Sequence, residues 1–141
     1  MSRIFWDTNL FIYLFEDYGP HSEQVAHLRE RMIERDDELI TSTLTLAELL
    51  TGPQRSGNQH LCQEYEEAVR TTAVVVDFNL AAARQYARLR AKPPRIAPPD
   101  AIQLACAASV GVDLFLTNDT RLHSVRIEGI HFITSVSRAP F

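Results

Sequence analysis

Short unbroken runs of apolar residues alternate along this chain with longer stretches in which apolar residues recur every three or four positions. Unbroken runs suit strands covered on both faces of a sheet, and the wider spacing suits helices with one buried side. Arg3 to Trp6 reads as a first strand, and Asp7-Thr8-Asn9 supplies three capping residues before the helix-length segment Leu10 to Phe15. Gly19-Pro20 breaks the chain, and Ser22 is expected to cap a helix carrying Val25, Leu28, Met32 and Ile33 at helical spacing. Leu39 to Ser42 is a second strand. Thr43 or Thr45 begins the helix LTLAELL, which Gly52-Pro53 is expected to end. After the polar loop Gln54 to Asn58, a helix is marked by Leu61, Tyr65, Ala68 and Val69. Ala73 to Val76 is a third strand, Asn79 caps the next helix, and Lys92 to Pro99 is a proline-rich connection.

The stretch from Pro98 to Asp119, PPDAIQLACAASVGVDLFLTND, organises the rest. Pro98 and Pro99 oppose helix before them, so Asp100 is expected as N-cap, with Gln103 completing a capping box. Small and apolar residues almost all round predict a buried helix, which Gly111 ends. Val112 to Leu116 then forms a strand with Asn118 and Asp119 beyond its carboxyl end, and Ile130 to Ile133 is a last apolar segment. The alternation predicts an α/β fold, a parallel sheet of four to five strands with helices on both faces. Ligands of such sheets bind at the carboxyl ends of the strands.

A chain of 141 residues, 45% hydrophobic and 23% charged, suits one compact domain, residues 1–141. Its net charge of -4 speaks against a general nucleic-acid binder. Between Phe78 and Pro99, however, stand Arg84, Arg88, Arg90, Lys92 and Arg95 and no acid, either a solvated face or a local positive patch. Two cysteines, Cys62 and Cys106, make no disulfide framework. The apolar run Leu10 to Phe15 is too short for a signal peptide or membrane span, so a cytoplasmic protein is expected.

Four carboxylates draw the chemistry together. Asp7, Asp100 and Asp119 each stand where an aspartate commonly caps a helix, and Glu48 lies among Leu44, Leu46, Ala47, Leu49 and Leu50. Singly each has a plain structural account. Together they would converge on one edge of the sheet, where crowded carboxylates raise one another's pKa unless a cation neutralises them. Oxygen ligands favour magnesium or manganese, and such ions serve phosphodiester chemistry. There is no glycine-rich phosphate loop and no G-x-S-x-G turn, and His21, His27, His60, His123 and His131 lack zinc spacing and are expected on the surface.

The segments IFWDTNLFIYLF, TSTLTLAELL and PPDAIQLACAASVGVDLFLTND, with the closing hydrophobic strand, resemble the PIN-domain ribonucleases, and among them the VapC-type toxins of toxin-antitoxin pairs. The resemblance implies a magnesium- or manganese-dependent endoribonuclease, often a homodimer, held inactive by a cognate antitoxin. By position, Asp7, Glu48, Asp100 and Asp119 would be its catalytic and metal-binding acids, with Asn9 and Thr117 as polar supports. Two other readings remain at this stage. A non-catalytic RNA-binding domain would keep the fold, whereas a phosphoryl-accepting receiver would need a late lysine, and the only lysine, Lys92, precedes the third and fourth acids.

Overall fold

Strand β1 (Arg3–Trp6) opens a computed structural model that describes residues 1–141, and α1 (Thr8–Phe15) and α2 (Pro20–Glu34) follow it. The chain continues through β2 (Glu38–Ser42), α3 (Thr43–Arg55), α4 (Gln59–Thr72), β3 (Val74–Val76), α5 (Leu80–Ala91), α6 (Pro98–Val110), β4 (Val112–Leu116) and β5 (Ile130–Thr134). All five strands run parallel in one sheet of order β3-β2-β1-β4-β5. The α/β alternation expected from the sequence is the one that forms, at five strands and six helices.

Successive strand residues face opposite sides of a sheet, and the core divides accordingly. On one side Ile4, Trp6, Leu114 and Leu116 pack with Leu10, Phe11, Val25, Leu28, Leu49 and Val69, which come from α1 to α4. On the other, Phe5, Ile40 and Phe115 pack with Ala82 of α5 and with Leu104 and Ala107 of α6. Phe5 and Phe115 stack at 4.9 Å between ring centroids, and fully burying such a side chain is worth about 1.5–3 kcal/mol. The chain thus steps from β1 to β2 to β3 over one face, then crosses the other face to reach β4 on the far side of β1. β1 and β4 flank the point where the winding reverses, and there a crevice opens at the carboxyl ends of the strands.

Helix α6 lies close to the sheet because its buried positions are mostly small: Ala101, Ala105, Cys106, Ala107 and Ala108. Gly129, just before β5, comes so near that a Cβ there would stand 2.6 Å from the Ala108 carbonyl oxygen, and its φ is 98°. Only glycine suits both conditions.

Three helix ends differ from the sequence-based expectation. Helix α6 begins at Pro98, with Ala97 at the N-cap, because proline's fixed φ and missing N–H suit the first turn. Asp100 therefore lies inside that turn and caps nothing, and Gln103 belongs to no capping box. Helix α3 runs through Gly52-Pro53 to Arg55, since the Pro53 ring is buried in the packing of its last turn. Helix α2 begins at Pro20, and the Ser22 hydroxyl instead ties the incoming loop, accepting from the Tyr18 N–H and donating to the Glu16 carbonyl, both at 2.8 Å. No helix is long and apolar enough to cross a membrane.

Candidate active site

Asp7 follows β1 directly and caps α1, its Oδ1 accepting from the Thr8 N–H at 2.8 Å. Its other oxygen accepts the Thr117 hydroxyl at 2.8 Å, from the residue that follows β4. Glu48 enters from α3, where Leu49 turns into the core and Glu48 turns out, accepting the Thr8 hydroxyl on Oε1 at 2.6 Å. Asp100 comes from the first turn of α6 and Asp119 from the loop after β4. All four acids line one cleft of about 290 Å3, with Thr8, Asn9 and Gln103 between them. Every acid singled out in the sequence is thus brought to one place. A larger depression on α4 is lined by Gln63, Glu66, Glu67, Arg70 and Thr71, all of one helix, and brings no second element's groups to bear.

Beneath the acids lies a buried polar network that the sequence did not announce. Gln103, 2% exposed in the otherwise apolar α6, donates its amide to the Thr45 hydroxyl at 2.8 Å. It also reaches the Thr8 hydroxyl at 3.2 Å and Asp7 Oδ1 at 3.4 Å, and its carbonyl accepts the Ser42 hydroxyl. Thr41 donates to the Trp6 carbonyl at 2.9 Å. These side chains tie the ends of β1 and β2 to α3 and α6, so the positions of Asp7 and Glu48 are set by groups that are themselves buried and paired. The signal available beforehand was the hydroxyl run Thr41, Ser42, Thr43 and Thr45, together with a glutamine in an apolar helix.

The acids differ in charge environment. Burial raises the Asp7 pKa above the ordinary aspartate value, outweighing the hydrogen bonds from Thr117 and Thr8, and the Glu48 charge raises it further. Asp100 is also raised, by burial first and then by the charges of Asp7 and Asp119. Asp119 is lowered, because Arg121 grips it as a fork, Nε to Oδ1 at 2.9 Å and Nη2 to Oδ2 at 2.6 Å. Arg121 is a further residue of the site that sequence reasoning missed. Four histidines are exposed as expected, but His123, outside the cleft lining, is half-buried, with Nε2 3.1 Å from the Thr117 carbonyl. The thiol of Cys106 is buried and pushed up to about 11, which leaves it inert.

The cleft offers carboxylate, hydroxyl and amide oxygens and no sulfur or imidazole, a donor set for a hard cation. No three of its acids close round one point as a cage for a bare ion. Magnesium and manganese keep several waters and use one or two carboxylates directly, so the donor set can take them without such a cage. Asn9, which lines the cleft, has a buried Oδ1 without a partner, an acceptor placed for such a water.

Comparison with known proteins agrees with this architecture. The PIN domain family model matches residues 4–128. The fold is similar to that of DNA-bound VapBC from Salmonella typhimurium, at 26% identity and a TM-score of 0.71 over 96% of this chain and 99% of that one. It is also similar to VapBC2 from Rickettsia felis, bound to a DNA fragment from its promoter, at 18% identity and a TM-score of 0.74 over 94% and 96% of the two chains. A toxin-antitoxin complex from Klebsiella pneumoniae matches at 23% identity and a TM-score of 0.64, covering 90% of this chain and 94% of that one. No curated protein matches the chain by sequence.

Proposed function

The chain belongs to the PIN-domain family, and from that premise we propose that it is a magnesium- or manganese-dependent endoribonuclease, the toxin of a type II toxin-antitoxin pair. The observation that carries the activity is the meeting of Asp7, Glu48, Asp100 and Asp119 in one cleft at the carboxyl edge of the sheet. Likeness over nearly the whole chain to a VapBC protein supports the toxin role and a cognate antitoxin as partner. The reading adds a second copy of the chain as partner and the cytoplasm as its setting. Residues 1–141 act as one unit in this reading.

Asp7, Asp100 and Asp119 would hold the cation, in part through its waters, and Glu48 would share in holding it or orient the attacking water. A divalent ion in such a site lowers the pKa of a bound water and stabilises the leaving oxygen of a phosphodiester. The protein's part is placement. Thr8 pins the Glu48 carboxylate, Thr117 and the Thr8 N–H pin Asp7, and Gln103 locks both through Thr8. An acceptor oxygen held this way is aimed before substrate arrives, which removes reorganisation from the barrier.

The deciding experiment is incubation of the purified protein with an RNA pool and magnesium or manganese, beside the same reaction in EDTA. Cleavage that needs the ion and disappears in Asp100→Asn is the expected result. An intact pool at millimolar ion, with the protein folded, would overturn the reading.

A further inference from the structure

Beside the acidic cleft lies a second one of about 230 Å3, and Asp100 lines both. Its floor is apolar, made by buried Ile96 and Leu122 with half-buried Val125, and Arg95 and Arg121 stand exposed on its walls. The floor is held in place by Arg90, whose guanidinium donates to the Ile96 carbonyl at 2.5 Å. Arg121 joins the two clefts, since it lines the second while gripping Asp119, which lines the first.

A nucleic-acid chain lying across four carboxylates meets repulsion at every phosphate except where a cation sits. Among the residues lining the two clefts, Arg95 and Arg121 are the only positive side chains, and both belong to the second. Arg84 and Arg88, the earlier half of the arginine-rich segment, line neither. The second cleft therefore combines what one nucleotide needs: an apolar surface for a base and two guanidinium groups for a phosphate, one of which can also stack on the base. Its volume of about 230 Å3 leaves room for a nucleobase.

We propose that the cleft between Arg95 and Arg121 is a nucleotide subsite, which takes the RNA nucleotide next to the phosphodiester bound at the acidic cleft. Calling that neighbour the scissile bond rests on the nuclease reading above; the binding of a nucleotide does not. The base lies on Ile96, Leu122 and Val125, and the phosphate bridges Arg95 and Arg121. Arg121 thereby has two anionic partners, the Asp119 carboxylate in the free protein and a phosphate in the complex.

The test is an NMR titration of the full chain in EDTA, so that nothing is cut, with adenosine 5′-monophosphate and with a four-nucleotide RNA. Shifts at Ile96, Val125 and Arg121 are expected with both. Arg95→Ala should weaken tetranucleotide binding about tenfold and make its salt dependence shallower by about one phosphate contact, with Arg84→Ala unchanged. Absence of shifts in the second cleft, or parental affinity in Arg95→Ala, would each overturn the subsite. Cleavage is scored separately with manganese: binding in the cleft without cleavage sinks the nuclease reading alone, and cleavage without binding there sinks the subsite alone.

Discussion

The hydroxyl of Thr117 donates to Oδ2 of Asp7 at 2.8 Å and so joins the ends of the two central strands at the lip of the acidic cleft. It satisfies a carboxylate that is only 8% exposed, and its own oxygen accepts the Asp119 N–H at 3.1 Å. Thr117→Val keeps the shape and removes both bonds. Hydrogen bonds to a charged group contribute about 1.5–3 kcal/mol, so the variant should unfold at lower urea concentration at neutral pH by about that much stability. Matching urea midpoints for variant and parent would show that the bond makes no net contribution.

Asp100 tests the site more sharply than a cap would have done. Its side chain neither caps α6 nor accepts a hydrogen bond there, so asparagine should fold as well as aspartate, within about 0.5 kcal/mol, the usual range for substitutions away from such features. As a ligand for a hard cation the amide is much poorer. Asp100→Asn should melt at or slightly above the parental temperature at neutral pH and lose at least about a hundredfold in cleavage rate, and cleavage at the parental rate would remove Asp100 from the catalytic group.

Metal and pH should act on stability in opposite directions. Asp7 and Asp100 have folded-state pKa values raised above the unfolded value, so the folded protein holds protons there more readily. Their contribution is fully present below the ordinary aspartate pKa and is lost as pH rises through the raised values. Asp119 is lowered, so its smaller, solvent-screened contribution is present above the ordinary value and is lost as pH falls through the lowered one. Metal-free protein should therefore melt at lower temperature as pH climbs just beyond the aspartate range, and the Asp7→Asn, Asp100→Asn double variant should show a flatter profile. At neutral pH an ion at ten times its dissociation constant should restore roughly 1.4 kcal/mol. A melting curve indifferent to magnesium and manganese over a millimolar titration would argue against a preformed cation site.

The ends left by the cut distinguish an activated water from attack by the RNA's own 2′-hydroxyl. The second route needs a positioned general base and acid, and no histidine lines the cleft to supply them. Products should carry 5′-phosphate and 3′-hydroxyl ends, and a 2′-deoxy substitution at the cut nucleotide should leave cleavage in place. Cyclic 2′,3′-phosphate ends would refute the water mechanism.

The fold was legible because its signals are local and agree: unbroken apolar runs such as Val112 to Leu116, a cap at Asp7, a left-handed glycine at Gly111. The four acids were legible for the same reason, each standing at a strand end, a helix start or out of place among leucines. What escaped depends on distant partners. Gln103 looked like half of a capping box until Ser42, Thr45 and Thr8 were seen around it, and its partners lie 58 to 95 residues away. Arg121 carries no local signal in the sequence, and only the approach of Asp100 and the loop at Ile96 gives it a cleft to line. Pro98 and Pro99 misled because proline opposes the residue before it and also favours the first helical position, and the second effect prevailed.

The sheet order also bears on when, during synthesis, this protein becomes able to act. β1 is made first and lies in the middle, yet one of its two neighbours is β4, whose Leu114, Phe115 and Leu116 pair with Ile4, Phe5 and Trp6. A chain growing from its amino end can dock β2 early, but it leaves the other side of β1 open until residues more than a hundred positions later have been made. Until then Asp7 lacks Thr117, Asp100 has no β4 behind its helix, and Asp119 and Arg121 do not exist. Long-range pairing of this kind is slow and comes late. Every shorter product of translation therefore carries an unfinished cleft.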